Sequence, residues 1–160
     1  FLGFAERYDK FEALNTQVIG LSIDSIYSHL AWVKSIKDNF DVDIPFPIID
    51  DLSMKVARAY GMIHPGASDT SAVRAVFVID AEGILRAMVY YPLTNGRSID
   101  EILRIVQSLQ TSQKHGVATP ENWHPGEKVI VPPPLTQEDQ IKRKDEGYDY
   151  TDWYFSKKEL

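Results

Sequence analysis

The segment Val73-Arg74-Ala75-Val76-Phe77-Val78-Ile79-Asp80 constrains this chain more than any other, because it sets a permanent cation inside the strongest strand signal. A run this rich in valine and isoleucine reads as a strand buried on both faces. A guanidinium cannot shed its proton, and burying it unpaired costs on the order of several kcal/mol. The fold must therefore bring an anion to Arg74. The neighbouring residues do not say which anion that is.

The chain of 160 residues is long enough for one domain with an appended arm. Its 44% hydrophobic and 25% charged residues are those of a globular protein rather than a disordered one. No apolar run approaches the roughly 20 residues of a membrane helix, so a membrane partner is not expected. A net charge of -6 argues against nucleic acid. With no cysteine, disulfides and thiolate metal sites are excluded within these residues. His64, His115 and His124 show no metal-ligand spacing, and neither a metal nor a cofactor is expected. The chain opens on Phe1 inside a helical pattern, which reads as a start downstream of a cut and leaves targeting signals undecided.

Phe1, Phe4, Tyr8, Phe11 and Leu14 recur at helical spacing and predict an opening amphipathic helix. Val18 to Ile23 reads as a strand. Asp24 and Ser25 can cap a helix whose apolar face is Ile26, Leu30, Val33, Ile36 and Phe40. Phe46 to Ile49, hemmed by Pro45 and Pro47, suits an edge strand. Asp51 can cap a helix from Leu52 to Tyr60, which Gly61 ends. A loop from Met62 to Thr70 holds Pro65 and Gly66. The Arg74 strand then turns through Asp80-Ala81-Glu82-Gly83 into a partner strand, Ile84 to Tyr91. Ser98 and Glu101 form a capping box, and Ile99, Ile102, Leu103, Val106 and Leu109 form the buried stripe of the next helix. After Thr111, Trp123 and Pro132-Pro133-Pro134 predict an extended arm that packs on something else rather than folding alone. Its end, with Tyr150, Trp153, Tyr154 and Phe155, is expected to dock by aromatic burial, on a neighbouring subunit. The expected division is a core over 1–111 and a dimerisation arm over 112–160.

This order is a parallel βαβ half followed by an antiparallel ββα half, the back portion of a thioredoxin-like α/β fold. The strand that should feed the first helix is absent from these residues. In such a sheet it lies centrally, between the two halves.

Several blocks carry a family resemblance: Ile19-Gly20-Leu21-Ser22-Ile23-Asp24-Ser25, Ser28-His29-Leu30-Ala31-Trp32, Phe46-Pro47-Ile48-Ile49-Asp50 and Arg74-Ala75-Val76-Phe77-Val78-Ile79-Asp80. Further on come Tyr90-Tyr91-Pro92 with Gly96-Arg97, Thr119-Pro120-Glu121-Asn122-Trp123, and Val129 through Pro134. In this order and spacing the chain resembles the peroxiredoxins, in the one-cysteine class with a long C-terminal domain, archaeal and bacterial branch. The resemblance implies a thiol peroxidase that reduces hydrogen peroxide and organic hydroperoxides through a cysteine sulfenic acid. In that family the nucleophile sits in a Pro-x-x-x-Thr/Ser-x-x-Cys-type loop at the first turn of a helix, which places it a few residues before Phe1. The 160 residues alone are then expected to be inactive. Asp152-Trp153-Tyr154-Phe155-Ser156 carries no thiol, so recycling falls to an external reductant, thioredoxin-like or a small thiol. A homodimer or a ring of dimers in the cytoplasm is expected, joined partly along Ile84 to Tyr91.

Two readings of Arg74 stand side by side. As a catalytic group it lowers the thiolate's pKa and orients the peroxide. As a structural group it pairs with a carboxylate such as Asp24 or Asp50. Arg97 lies in a loop before a helix, where a solvated arginine is the default; the resemblance gives it a supporting role beside Arg74. His29 reads as a packed helix residue, and Ser28, His29 and Asp24 do not make a hydrolase triad, because adjacent side chains on one helix diverge. A second class of function remains, a non-catalytic thioredoxin-fold scaffold.

Overall fold

The computed structural model describes residues 1–63 and 73–160. The expectations for His64, Pro65 and Gly66 lie outside the described residues. The chain divides into two compact units, Phe1–Ile99 and Asp100–Leu160.

In the first unit, the single helix expected from Phe1 is broken. Leu2–Ala5 (α1) and Tyr8–Ala13 (α2) are separate, with Arg7 between them at φ -119°, ψ 14°, outside helical geometry. Ring contact between Phe4 and Phe11, at 5.7 Å, carries the apolar stripe across the break. A parallel βαβ unit follows: Gly20–Ser22 (β1), Ile26–Phe40 (α3) and Ile48–Asp50 (β2), with Gly20 opposite Ile48 and Ser22 opposite Asp50. Ser25 starts α3 as expected, its side chain accepting from the Ser28 amide. Only His29 and Ile36 of α3 are buried, whereas Ile26, Leu30 and Phe40 of the predicted stripe are exposed.

Helix α4 is shorter than expected, Lys55–Ala59. The buried Asp51 carboxylate accepts from the Val56 and Ala57 amides at 3.1 and 2.6 Å. Burial works to raise this carboxyl, but the amides of Ala57, Val56 and Lys55 and the Ser53 hydroxyl outweigh it and hold it below its ordinary range. Gly61, at φ +64°, ends the helix.

Arg74–Ile79 (β3) and Leu85–Tyr91 (β4) form an antiparallel hairpin, with Arg74 opposite Tyr91. Asp80 braces its turn by accepting from the Glu82 and Ile84 amides. The expectation that this strand is buried on both faces is corrected. Arg74 and Ile79 are exposed, the residues between them are half-buried, and only the preceding Val73 is buried. The reason lies in the sheet: among the described residues β3 pairs with β4 alone and β1 with β2 alone, so neither is flanked on both sides. The core beside them gathers Ala57, Met62 and Val73 with Leu21, Ala75 and Phe77 around them.

In the second unit, Ile99–His115 (α5) buries Ile102, Leu103 and Val106. The compact units divide in the first turn of this helix. The helix is tied to the residues after it, Arg104 donating to the Trp123 carbonyl at 3.3 Å and the Ser108 hydroxyl lying 2.6 Å from that of Thr119. The following residues also fold more than an extended arm would. Val117, Trp123 and Val129 form a buried cluster, and Val129–Ile130 (β5), Asp149–Asp152 (β6) and Phe155–Lys158 (β7) make a three-stranded sheet ordered β5-β7-β6. Gln137–Lys142 (α6) starts at Thr136, which caps it through the Asp139 amide. Arg143 is 6% exposed, donates to the Pro132 carbonyl at 2.8 Å and lies over the Tyr148 ring. Trp153 and Tyr154 stack edge-on at 5.4 Å and are exposed in the single chain. Among the described residues no helix is long and apolar enough to cross a membrane.

Candidate functional site

Arg74 opens β3, and its Nε donates to the Leu93 carbonyl at 2.7 Å. Arg97 lies in the loop after β4, and its Nη2 donates to the Ala75 carbonyl at 3.2 Å. Both anchors are neutral. Other guanidinium groups are paired with carboxylates, Arg86 with Asp80 and Arg104 with Glu101, both at 2.6 Å. Among the described residues neither Arg74 nor Arg97 has a carboxylate partner, and Asp24 instead accepts from the Ser22 hydroxyl at 2.7 Å. The structural ion pair considered for Arg74 with Asp24 or Asp50 is therefore not formed.

The two cations act on each other. Burial first, then the charge of Arg74, weakens the hold of Arg97 on its proton, with Tyr91 opposing.

A cleft of about 430 Å³ joins these groups. Arg74 and Arg97 line it together with Phe1, Leu2 and Phe4 from the α1 region and Trp32, Ile36 and Phe40 from α3. Sequence reasoning singled out the two arginines but not this apolar lining. The i, i+4, i+8 spacing of Trp32, Ile36 and Phe40 was the available signal. Phe1 is held in place. Its ring lies 4.7 Å from that of Trp32 and edge-on to Phe46 at 5.7 Å. It also rests against Gly20, where a β-carbon would stand 3.0 Å from two of its ring carbons.

His29 is 3% exposed, with Nε2 2.8 Å from the Ser22 hydroxyl oxygen. Because that hydroxyl donates to Asp24, the serine lies between histidine and aspartate. The histidine cannot then take the serine proton, so this cluster is no hydrolase triad. Ser28 faces Ser25 instead.

Comparison with known proteins places this geometry. Residues 1–88 match the AhpC/TSA family, and residues 108–147 match the C-terminal domain of 1-Cys peroxiredoxin. A peroxiredoxin of Aquifex aeolicus is 55% identical, the match covering all of this chain and 77% of that protein. Peroxiredoxin 2 of Caldanaerobacter subterraneus subsp. tengcongensis is 52% identical over all of this chain and 73% of its own length. Among solved structures, a yeast mitochondrial 1-Cys peroxiredoxin superposes with a TM-score of 0.86 at 34% identity, covering 99% of this chain and 77% of that one. The mixed α/β fold is thus the thioredoxin-like fold of those structures. The chain belongs to the peroxiredoxins, thiol peroxidases of the AhpC/TSA family, and carries the C-terminal domain of their one-cysteine class.

Proposed function

We propose that these residues build the charge-stabilising side of a peroxidase site whose sulfur comes from residues outside them, upstream of Phe1. A cysteine thiolate attacks one oxygen of the peroxide, the O–O bond breaks, and the products are a sulfenic acid and a hydroxide or alkoxide. Arg74 lowers the thiol pKa and hydrogen-bonds the peroxide; Arg97 supports it and adds to the field. The observation that carries this reading is a pair of guanidinium groups that have no carboxylate partner among the described residues and line one cleft with the Phe1 end of α1. Among the described residues β1 and β3 each have one unpaired side, which supports a strand between them that delivers the cysteine. With no cysteine of their own, the 160 residues are inert as a peroxidase and do not fold stably alone.

The substrates are hydrogen peroxide and organic hydroperoxides. Recycling uses an external thiol, small or thioredoxin-like; for the yeast relative, thiol resolution proceeds via glutathione/thioredoxin systems. The protein works in the cytoplasm as a homodimer or ring of dimers, with residues 112–160 as its dimerisation arm around the 1–111 core. The competing reading is a non-catalytic scaffold.

In the intact protein, Arg74→Met raises the thiol pKa and slows peroxide reduction by roughly 10²-fold, the scale of removing one preorganised donor. An unchanged rate with a lowered melting temperature returns Arg74 to a structural role. No turnover in the unmodified intact protein leaves the scaffold reading standing.

A further inference from the structure

The loop that anchors Arg74 and carries Arg97 contains an asparagine–glycine pair, Asn95-Gly96. Leu93, whose carbonyl anchors Arg74, stands two residues before Asn95, and Arg97 follows Gly96. Asn95 and Gly96 are both exposed. Among the described residues nothing lies within 4 Å of the place a Gly96 β-carbon would occupy, and glycine has no side chain to crowd its own amide nitrogen. The Thr94 hydroxyl donates to Asn95 Oδ1 at 2.9 Å. A donor on that oxygen polarises the side-chain carbonyl and stabilises the oxyanion that forms when a nucleophile adds to it.

We propose that Asn95 is a site of spontaneous deamidation, and that its conversion disarms the arginine pair. The Gly96 amide nitrogen loses its proton and attacks Asn95 Cγ. The new C–N bond closes a five-membered succinimide, and the side-chain nitrogen leaves as ammonia. Water then opens the ring, giving aspartate or, by cleavage at the other carbonyl, isoaspartate. No oxidant or reductant takes part. The product places a carboxylate in a loop whose neighbouring guanidinium groups have no carboxylate partner among the described residues, and isoaspartate also lengthens the backbone between Leu93 and Arg97 by one carbon. Both changes weaken the field and move the anchors that the proposed peroxidase site depends on. The consequence for activity rests on that reading; the chemical step does not.

The chain supplies its own controls. Asn15, Asn39 and Asn122 precede Thr16, Phe40 and Trp123, whose side chains crowd the attacking nitrogen. Gly96 has no left-handed backbone angle and open space around it, so Gly96→Ala blocks ring closure without strain. The experiment ages the intact protein at mildly alkaline pH and maps its peptides by mass, with peroxide reduction measured on the same samples. The expected result is conversion of the Asn95 peptide ahead of the other three. The loss of peroxide-reduction rate follows the converted fraction, and both changes are suppressed by Gly96→Ala. An Asn95 peptide that stays an amide while the others convert, or that converts no faster than they do, overturns the site. Full conversion with an unchanged rate overturns its consequence. Fresh protein without any turnover refutes the peroxidase reading and, with it, the consequence for activity, while the mass result still decides the chemistry.

Discussion

Replacing Gly20 by alanine tests how tightly Phe1 is seated. The added β-carbon falls 3.0 Å from both Cε1 and Cζ of the Phe1 ring and 3.4 Å from Ile48 Cγ1. Comfortable carbon contacts lie at about 3.5–4.0 Å, so the ring must retreat by roughly 0.5–1 Å. Trp32 and Phe46 stand on its other sides and oppose that movement. Overpacking of this kind costs about 1–3 kcal/mol. Against it, alanine at an unstrained position restricts the unfolded chain and returns about 0.4–1 kcal/mol. The net expectation is a loss of about 0–2.6 kcal/mol, centred near 1.3, in the intact protein, read from denaturant unfolding. In a Phe1→Ala background the obstruction is gone, and the same Gly20→Ala change becomes stabilising by about 0.4–1 kcal/mol. That reversal of sign is the decisive readout, since it isolates the contact itself. The reasoning fails if Gly20→Ala has the same effect in both backgrounds.

Trp123→Ala removes the largest fully buried side chain, at 2% exposure, together with its Nε1 hydrogen bond to the Glu127 carbonyl. The loss should be about 3–5 kcal/mol. It is measured by unfolding and by protease cutting within residues 100–160, and a change under about 1 kcal/mol would contradict the packing described. Asp51 should show in acid. Its carboxyl is held low in the folded state, so its stabilising effect is complete above the unfolded value of about 3.9 and is lost as pH falls through the lower folded value. Melting temperature against pH should fall in that window, and Asp51→Ala should lower it at neutral pH while flattening the acid limb; parallel curves would refute the assignment.

Much of the first unit was legible because its signals are local. Ser25 capping α3, Asp51 capping α4 and the alternation of β1, α3 and β2 follow from residue type and spacing alone. Arg74 stood out for the same reason, a cation in a valine-rich strand. Its environment was misjudged because apolar composition speaks to both faces of a strand, whereas burial depends on what flanks the sheet. The α1–α2 break was invisible, since Phe4 and Phe11 keep their helical phase across it through ring contact. The β5-β7-β6 sheet was missed because Asp149–Asp152 and Phe155–Lys158 are mostly polar and pair through backbone groups, with Ser156 rather than a large apolar residue buried beneath. The pairing of His29 with Ser22 joins residues seven apart across a strand–helix junction, which no single-element periodicity reveals.

The carbonyl anchors of Arg74 and Arg97 have a thermodynamic consequence. A carboxylate anchor would fix a guanidinium and cancel its charge together; a carbonyl fixes it and leaves the charge whole. The fold thus holds two like charges in mutual repulsion, a tension that any visiting oxyanion relieves. Whatever binds the folded state and not the unfolded one stabilises it by mass action. Buffer anions should therefore raise the melting temperature and, on the proposed peroxidase reading, compete with peroxide, so that one solute reads as a stabiliser in a melt and as an inhibitor in a rate assay.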